Sequence, residues 1–104
     1  MPRAGDVIIA GVQYTDTGEV KVRPALVLFE EYGNVVIAGI TSNPRMKGIP
    51  LTIVEGAVKD SVIKLNYIFT ISNELVLKVV FHLNEDKKRL VYNELCDRLE
   101  GLNS

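Results

Sequence analysis

Cysteine, histidine and tryptophan are almost missing from this sequence, which has one Cys, one His and no Trp. The lone Cys96 excludes an internal disulfide and fits a reducing cytoplasm. With His82 and Cys96 each the only residue of its kind, no His/Cys cluster is available for zinc, and no metal or other cofactor is expected. Long hydrophobic runs are missing too. No apolar stretch approaches the roughly 20 residues that a membrane-spanning helix needs, so no membrane association is expected. The opening Met1-Pro2-Arg3-Ala4-Gly5-Asp6 has no charged-then-apolar signal pattern, because Asp6 precedes only the short run Val7-Ile8-Ile9-Ala10.

A basic surplus is the last absence. The formal net charge is -1, which excludes bulk affinity for polyanions. The charges are unevenly spread, however. Lys21, Arg23, Arg45 and Lys47 face only Glu30 and Glu31 in their part of the chain, while Glu85, Asp86, Glu94, Asp97 and Glu100 crowd the last quarter. A local positive groove on a neutral protein is compatible with this pattern.

What is present is a soluble globular composition, 47% hydrophobic and 24% charged over 104 residues, enough for one domain spanning 1–104. Strand-length apolar runs recur between turn residues. Asp6 to Val12 reads as a strand and Tyr14 to Glu19 as a polar loop. Val22 to Phe29 reads as a strand with Pro24 near its start, and Val35 to Ile40 returns as a hairpin partner after the turn Glu31-Tyr32-Gly33-Asn34. Thr41 to Pro50 is a loop, Leu51 to Val54 a short strand, Ser61 to Ile71 a long strand and Leu75 to Leu83 a last one.

Period-2 alternation sends Ile63, Leu65, Tyr67, Phe69 and Ile71 of the long strand into the core. Val62, Lys64, Asn66, Ile68 and Thr70 form a mixed opposite face that suggests cover by a partner. Asn84 is placed to cap a helix, with Glu85 and Asp86 in its first turn and Gly101 at its end. Leu90, Val91, Leu95, Leu99 and Leu102 mark its apolar stripe. Antiparallel strands followed by one helix predict a small barrel-like fold, mainly β with α+β character.

Four segments carry a family likeness. Gly5-Asp6-Val7-Ile8 opens the chain. Arg23-Pro24-Ala25-Leu26-Val27-Leu28 is the central one. Ile40-Thr41-Ser42 and Lys59-Asp60-Ser61-Val62-Ile63 follow in order. In these motifs the sequence resembles the MazF/PemK family of toxin–antitoxin ribonucleases along nearly its whole length. The resemblance implies an SH3-like antiparallel β-barrel with a C-terminal α-helix that forms a homodimer. It implies a sequence-selective, metal-independent endoribonuclease acting on single-stranded RNA, in which the ribose 2′-hydroxyl attacks the phosphorus and leaves a 2′,3′-cyclic phosphate. It also implies an antitoxin partner with an acidic, disordered tail.

By family position Arg23 is the catalytic cation, since a guanidinium is always charged and its fork matches phosphate oxygens; the alternative is a solvated arginine at a strand start. Matched in the same way, Thr41 is the catalytic threonine and Ser42 a phosphate or base contact; the alternative is a turn whose hydroxyls satisfy local backbone. Glu19 stands where relatives carry a glutamate before the Arg-Pro pair and is a candidate proton acceptor, although the loop lacks the family's Gln and second Gly.

The acid-free loop with Asn43, Arg45 and Lys47 suits a single strand of RNA, or is simply a basic surface loop. Lys64 and Asn66 occupy positions where relatives place an arginine and an aspartate, with Tyr67 in place of a glutamine. Asparagine cannot take a proton there. Tyr14 can stack a base or merely end a strand; His82 reads as structural and Cys96 as a packing residue. Two other functions fit the same chain: a non-catalytic nucleic-acid-binding or transcription-regulating module, and a protein-interaction barrel with no RNA role.

Overall fold

The computed structural model describes residues 2–13 and 20–103. Within them six strands run β1 (Asp6–Gln13), β2 (Val20–Glu31), β3 (Asn34–Thr41), β4 (Ile49–Leu51), β5 (Ser61–Ser72) and β6 (Val76–His82), followed by helix α1 (Glu85–Leu99). They form one sheet in the order β4-β5-β3-β2-β1-β6, antiparallel at every pairing. The sheet curls into a half-barrel with the helix at its C-terminal end, the architecture expected from the strand pattern. The polar loop of Tyr14 to Glu19 lies outside the described residues.

Alternation along β1, β2 and β3 buries both faces of the sheet. Ile8, Ala10, Val12, Ala25, Val27, Val35, Ile37 and Ile71 pack together on one face. Val7, Leu26, Ala38 and Ile40 pack on the other with Leu51, Ile63 and Leu65, and Val91 of α1 covers them. The helix starts where the sequence places it. Asn84 Oδ1 accepts from the Lys87 N–H at 2.8 Å, a cap that contributes about 1 kcal/mol.

The first turn of the chain is clamped between sheet and helix. Gly5 donates its N–H to the Val27 carbonyl at 2.9 Å and accepts from the Leu83 N–H at 2.9 Å. Its φ of 96° is one a side chain resists, and a Cβ there would meet the His82 ring. Asp6, only 6% exposed, holds His82 Nδ1 at 2.8 Å and accepts from the Arg3 N–H at 2.9 Å. Gly5-Asp6 is thus an architectural motif, and His82 is structural as expected.

The sheet forks in one place. The β2–β3 ladder ends with Ala25 opposite Gly39. Beyond that rung β2 continues against β1 as far as Val20, while β3 continues against β5 to Thr41, opposite Val62. Pro24 stands just past the last rung, where its missing N–H costs that ladder nothing. The two strands therefore part, with Arg23 and Pro24 on one lip and Ile40 and Thr41 on the other.

Four local expectations are corrected. The short strand lies earlier, at Ile49–Leu51, and Ile53–Glu55 is a 3-10 turn. Strict alternation on β5 breaks, because adjacent Gly39 and Ala38 pair with Lys64 and Ile68. The extra residues Leu65 to Tyr67 form an irregularity that turns Tyr67 outward to 39% exposure. Ile63 and Leu65 consequently join one core cluster, and Phe69 and Ile71 the other. Gly101 does not cap α1; Glu100 does, in ordinary helical backbone, and the chain winds on as a 3-10 turn over Glu100–Asn103. Cys96 is exposed on α1 and not packed.

Candidate functional site

The fork opens into a groove of about 560 Å³. Arg23 and Pro24 line it from β2, Thr41 and Ser42 from the end of β3, and Lys64 and Tyr67 from β5. Its floor is apolar, with Val7, Ile9 and Phe81. The far wall is Leu51 of β4 with Ala57 and Lys59 of the segment that follows it. Cations and hydroxyls thus ring an apolar cleft, an arrangement that suits an anionic ligand with flat or apolar parts.

Each lip is shaped locally. Thr41 Oγ1 accepts from the Asn43 N–H at 3.2 Å, and Asn43 Oδ1 accepts from the Arg45 N–H at 3.0 Å. These nested side-chain turns start the basic loop. The first uses the Thr41 oxygen as an acceptor, so its own proton is left to be donated. At the other end of the loop Gly48 lies against β5, where a Cβ would come within 2.4 Å of the Ile63 carbonyl oxygen. Lys64 ties the loop from below, its Nζ donating to the Lys47 carbonyl at 2.5 Å.

The far wall is braced by the helix. Glu55 accepts from the Thr52 N–H and hydroxyl, both at 3.0 Å. Lys87 of α1 stands 3.1 Å from the same carboxylate and donates to the Pro50 carbonyl at 2.6 Å. Burial pushes the Glu55 carboxyl up, but its bonds to Thr52 and Lys87 outweigh that and hold it below its ordinary value. Gly56 then packs flat on the Phe81 ring, with a φ of 123°.

Of the residues singled out in the sequence, the groove gathers Arg23, Thr41, Ser42 and Lys64. Asn43, Arg45, Lys47 and Asn66 are exposed and stand outside its lining. Lys64 and Asn66 are not presented as a pair there, since Asn66 lies within the β5 irregularity that follows Lys64, which brings Tyr67 to the groove instead. Glu19 and Tyr14 lie outside the described residues. Lys59 and Ser61 line the groove but were legible only as a motif, with no chemistry attached. Among the described residues no three His, Cys, Asp or Glu side chains group as metal ligands.

A family model described as PemK-like, MazF-like toxin of type II toxin–antitoxin system matches residues 3–99. The chain belongs to that family. The match takes in both lips of the fork, the far wall and the helix of this PemK-like toxin. No curated protein sequence matches it. Among solved structures it is similar to an endoribonuclease in complex with its cognate antitoxin from a mycobacterial species. That likeness has a TM-score of 0.61 over 83% of this chain and 82% of the other, at 14% identity. At that identity it shows that the PemK-like fold is shared.

Proposed function

We propose that this toxin is an endoribonuclease that cuts single-stranded RNA in the fork between β2 and β3. The observation that carries the reading is the placement of Arg23 and Thr41 on opposite lips of one groove, beyond the last rung at Ala25 and Gly39. A phosphodiester seated between them has its nucleophile built in. The ribose 2′-oxygen bonds to phosphorus, the bond to the 5′-oxygen breaks, and a 2′,3′-cyclic phosphate and a 5′-hydroxyl result. The Arg23 guanidinium offsets the charge that grows on the equatorial oxygens. The Thr41 hydroxyl orients the phosphate, and Ser42 lies next to it on the same lip. Glu19 is the acid–base candidate that takes the 2′-proton, and water supplies the proton that the leaving 5′-oxygen gains.

The basic loop with Asn43, Arg45 and Lys47 borders the groove and supplies phosphate contacts outside it, so that binding is selective without a net positive charge. The mycobacterial endoribonuclease is in complex with its cognate antitoxin, and we infer further that an antitoxin of this toxin closes the groove in the resting cell through an acidic, disordered tail that meets Arg23, Lys59 and Lys64. On this reading the toxin works in the cytoplasm on messenger RNA, and as a homodimer.

The test is incubation of purified toxin with a long unstructured RNA in excess chelator, followed by end-group analysis. Cyclic phosphate ends that vanish with Arg23→Ala are expected. RNA that is bound but left intact would overturn the enzymatic reading and leave a non-catalytic nucleic-acid-binding module.

A further inference from the structure

The groove holds an aromatic ring that the cleavage chemistry leaves unused. Tyr67 belongs to the irregular stretch of β5, in a segment whose alternation otherwise buries every second residue. It lines the groove and is 39% exposed. The Lys64 ammonium lies 5.4 Å from the centre of its ring, within the range of a cation–π contact. That same ammonium donates to the Lys47 carbonyl. Lys64 is therefore engaged twice, by the ring and by the backbone of the basic loop, and its charge serves to fix both.

An aromatic face held in place beside Arg23 and Lys59 is the combination that takes a single strand, with phosphates on the cations and a base on the ring. Resting on the reading that this groove receives RNA, we propose that Tyr67 is the stacking platform for one unpaired nucleobase, and that Lys64 is a positioning residue for that ring and for the basic loop. An extended peptide fits less well, because a flat ring fixed by a cation offers most to another flat π-system.

The ring makes the strand's register in the groove part of specificity. The base next to the scissile phosphate is selected by how well it stacks, so purines are favoured there over pyrimidines. Stacking involves no counterion release. Loss of Tyr67 must therefore leave the salt dependence of binding unchanged, while loss of a phosphate contact must reduce it.

The experiment uses a short RNA methylated at every 2′-oxygen, so that it cannot be cut, with the fluorescent base 2-aminopurine walked along it. Wild type is expected to quench one position. Tyr67→Leu is expected to lose that quench and to bind roughly tenfold to a hundredfold more weakly, with an unchanged salt slope and melting temperature. Tyr67→Phe, which keeps the ring, keeps both. If Tyr67→Leu proves unstable, Tyr67→Gln carries the same expectation at this exposed position. Quench and affinity retained in a folded Tyr67→Leu would overturn the platform. Wild type that cuts RNA while no position is quenched would overturn it alone, whereas wild type that neither binds nor cuts RNA overturns the RNA reading together with it.

Discussion

The Lys87 ammonium stands 3.1 Å from the Glu55 carboxylate, both side chains being mostly withdrawn from water. This pair fastens the first turn of α1 to the groove's far wall, and the bond from Lys87 to the Pro50 carbonyl secures β4 beside it. Lys87→Met keeps the aliphatic stem but leaves two acceptors without their donor. The expected cost is about 1–3 kcal/mol, read as a fall of several degrees in melting temperature. RNA cleavage is expected to weaken with it, because the wall carrying Lys59 is no longer held. An unchanged melting temperature would show the brace to be dispensable.

Acid is expected to loosen the turn that leads into the helix, where Asp6 holds His82. Burial raises the Asp6 carboxyl, but the Arg3 N–H and the His82 ring together outweigh it and hold the pKa below its ordinary 3.8. A carboxyl lowered on folding contributes stability above its unfolded value, and that contribution is lost as pH falls through the folded one. Glu55 is lowered in the same sense from 4.5. Chemical unfolding followed by circular dichroism should therefore show stability level above about pH 5 and falling below about pH 4. Asp6→Asn should be less stable at neutral pH and show a shallower acid slope. A slope identical to wild type would place the acid sensitivity elsewhere.

Arg23 is exposed on its lip, so its removal should cost activity without costing the fold. Arg23→Ala is expected to lose about 3 kcal/mol of transition-state stabilisation, roughly a hundredfold in rate or more, with a melting temperature close to wild type. Thr41→Ala should show a smaller loss. Its hydroxyl also holds the Asn43 N–H, so a small drop in stability accompanies it. A fluorogenic RNA assay paired with thermal melts separates the two effects. Full activity in Arg23→Ala would remove the fork from the chemistry.

The sequence revealed those features that local rules control. Asn84 caps the helix because its short side chain reaches a free N–H three residues on, a relation visible in any sequence. Arg23-Pro24 and Ile40-Thr41-Ser42 were legible as motifs, yet nothing in them says that the two strands part at Ala25 and Gly39. That requires the register of three neighbouring strands. Tyr67 was misplaced for the same reason. Alternation assumes an unbroken ladder, and the extra residues opposite Gly39 and Ala38 are set by how the sheet bends around its core. Gly101 looked like a cap because glycine so often ends helices, but here the chain continues as a 3-10 turn that does not need its freedom.

The seam between α1 and the sheet supplies the last prediction. A second groove, of about 520 Å³, runs between the helix and the sheet, lined among others by Val36, Ile68, Leu95 and Leu99. Much of that lining is open to water: Ile68 is 46% exposed and Leu99 56%, with Phe29 beside them at 50%. An apolar cleft of this kind, continued by Tyr92 of the same helix, is costly to leave wet. A second copy of the chain offers the same surface in return, so a twofold axis through the groove covers both clefts at once. Light scattering at micromolar concentration is expected to give the dimer mass for wild type. Ile68→Glu, which buries a charge in that contact, is expected to give the monomer mass with the fold retained, since Ile68 is half exposed within one chain. A wild type that remains monomeric across that range would overturn the dimer. An Ile68→Glu protein that still dimerises would place the twofold axis on another face.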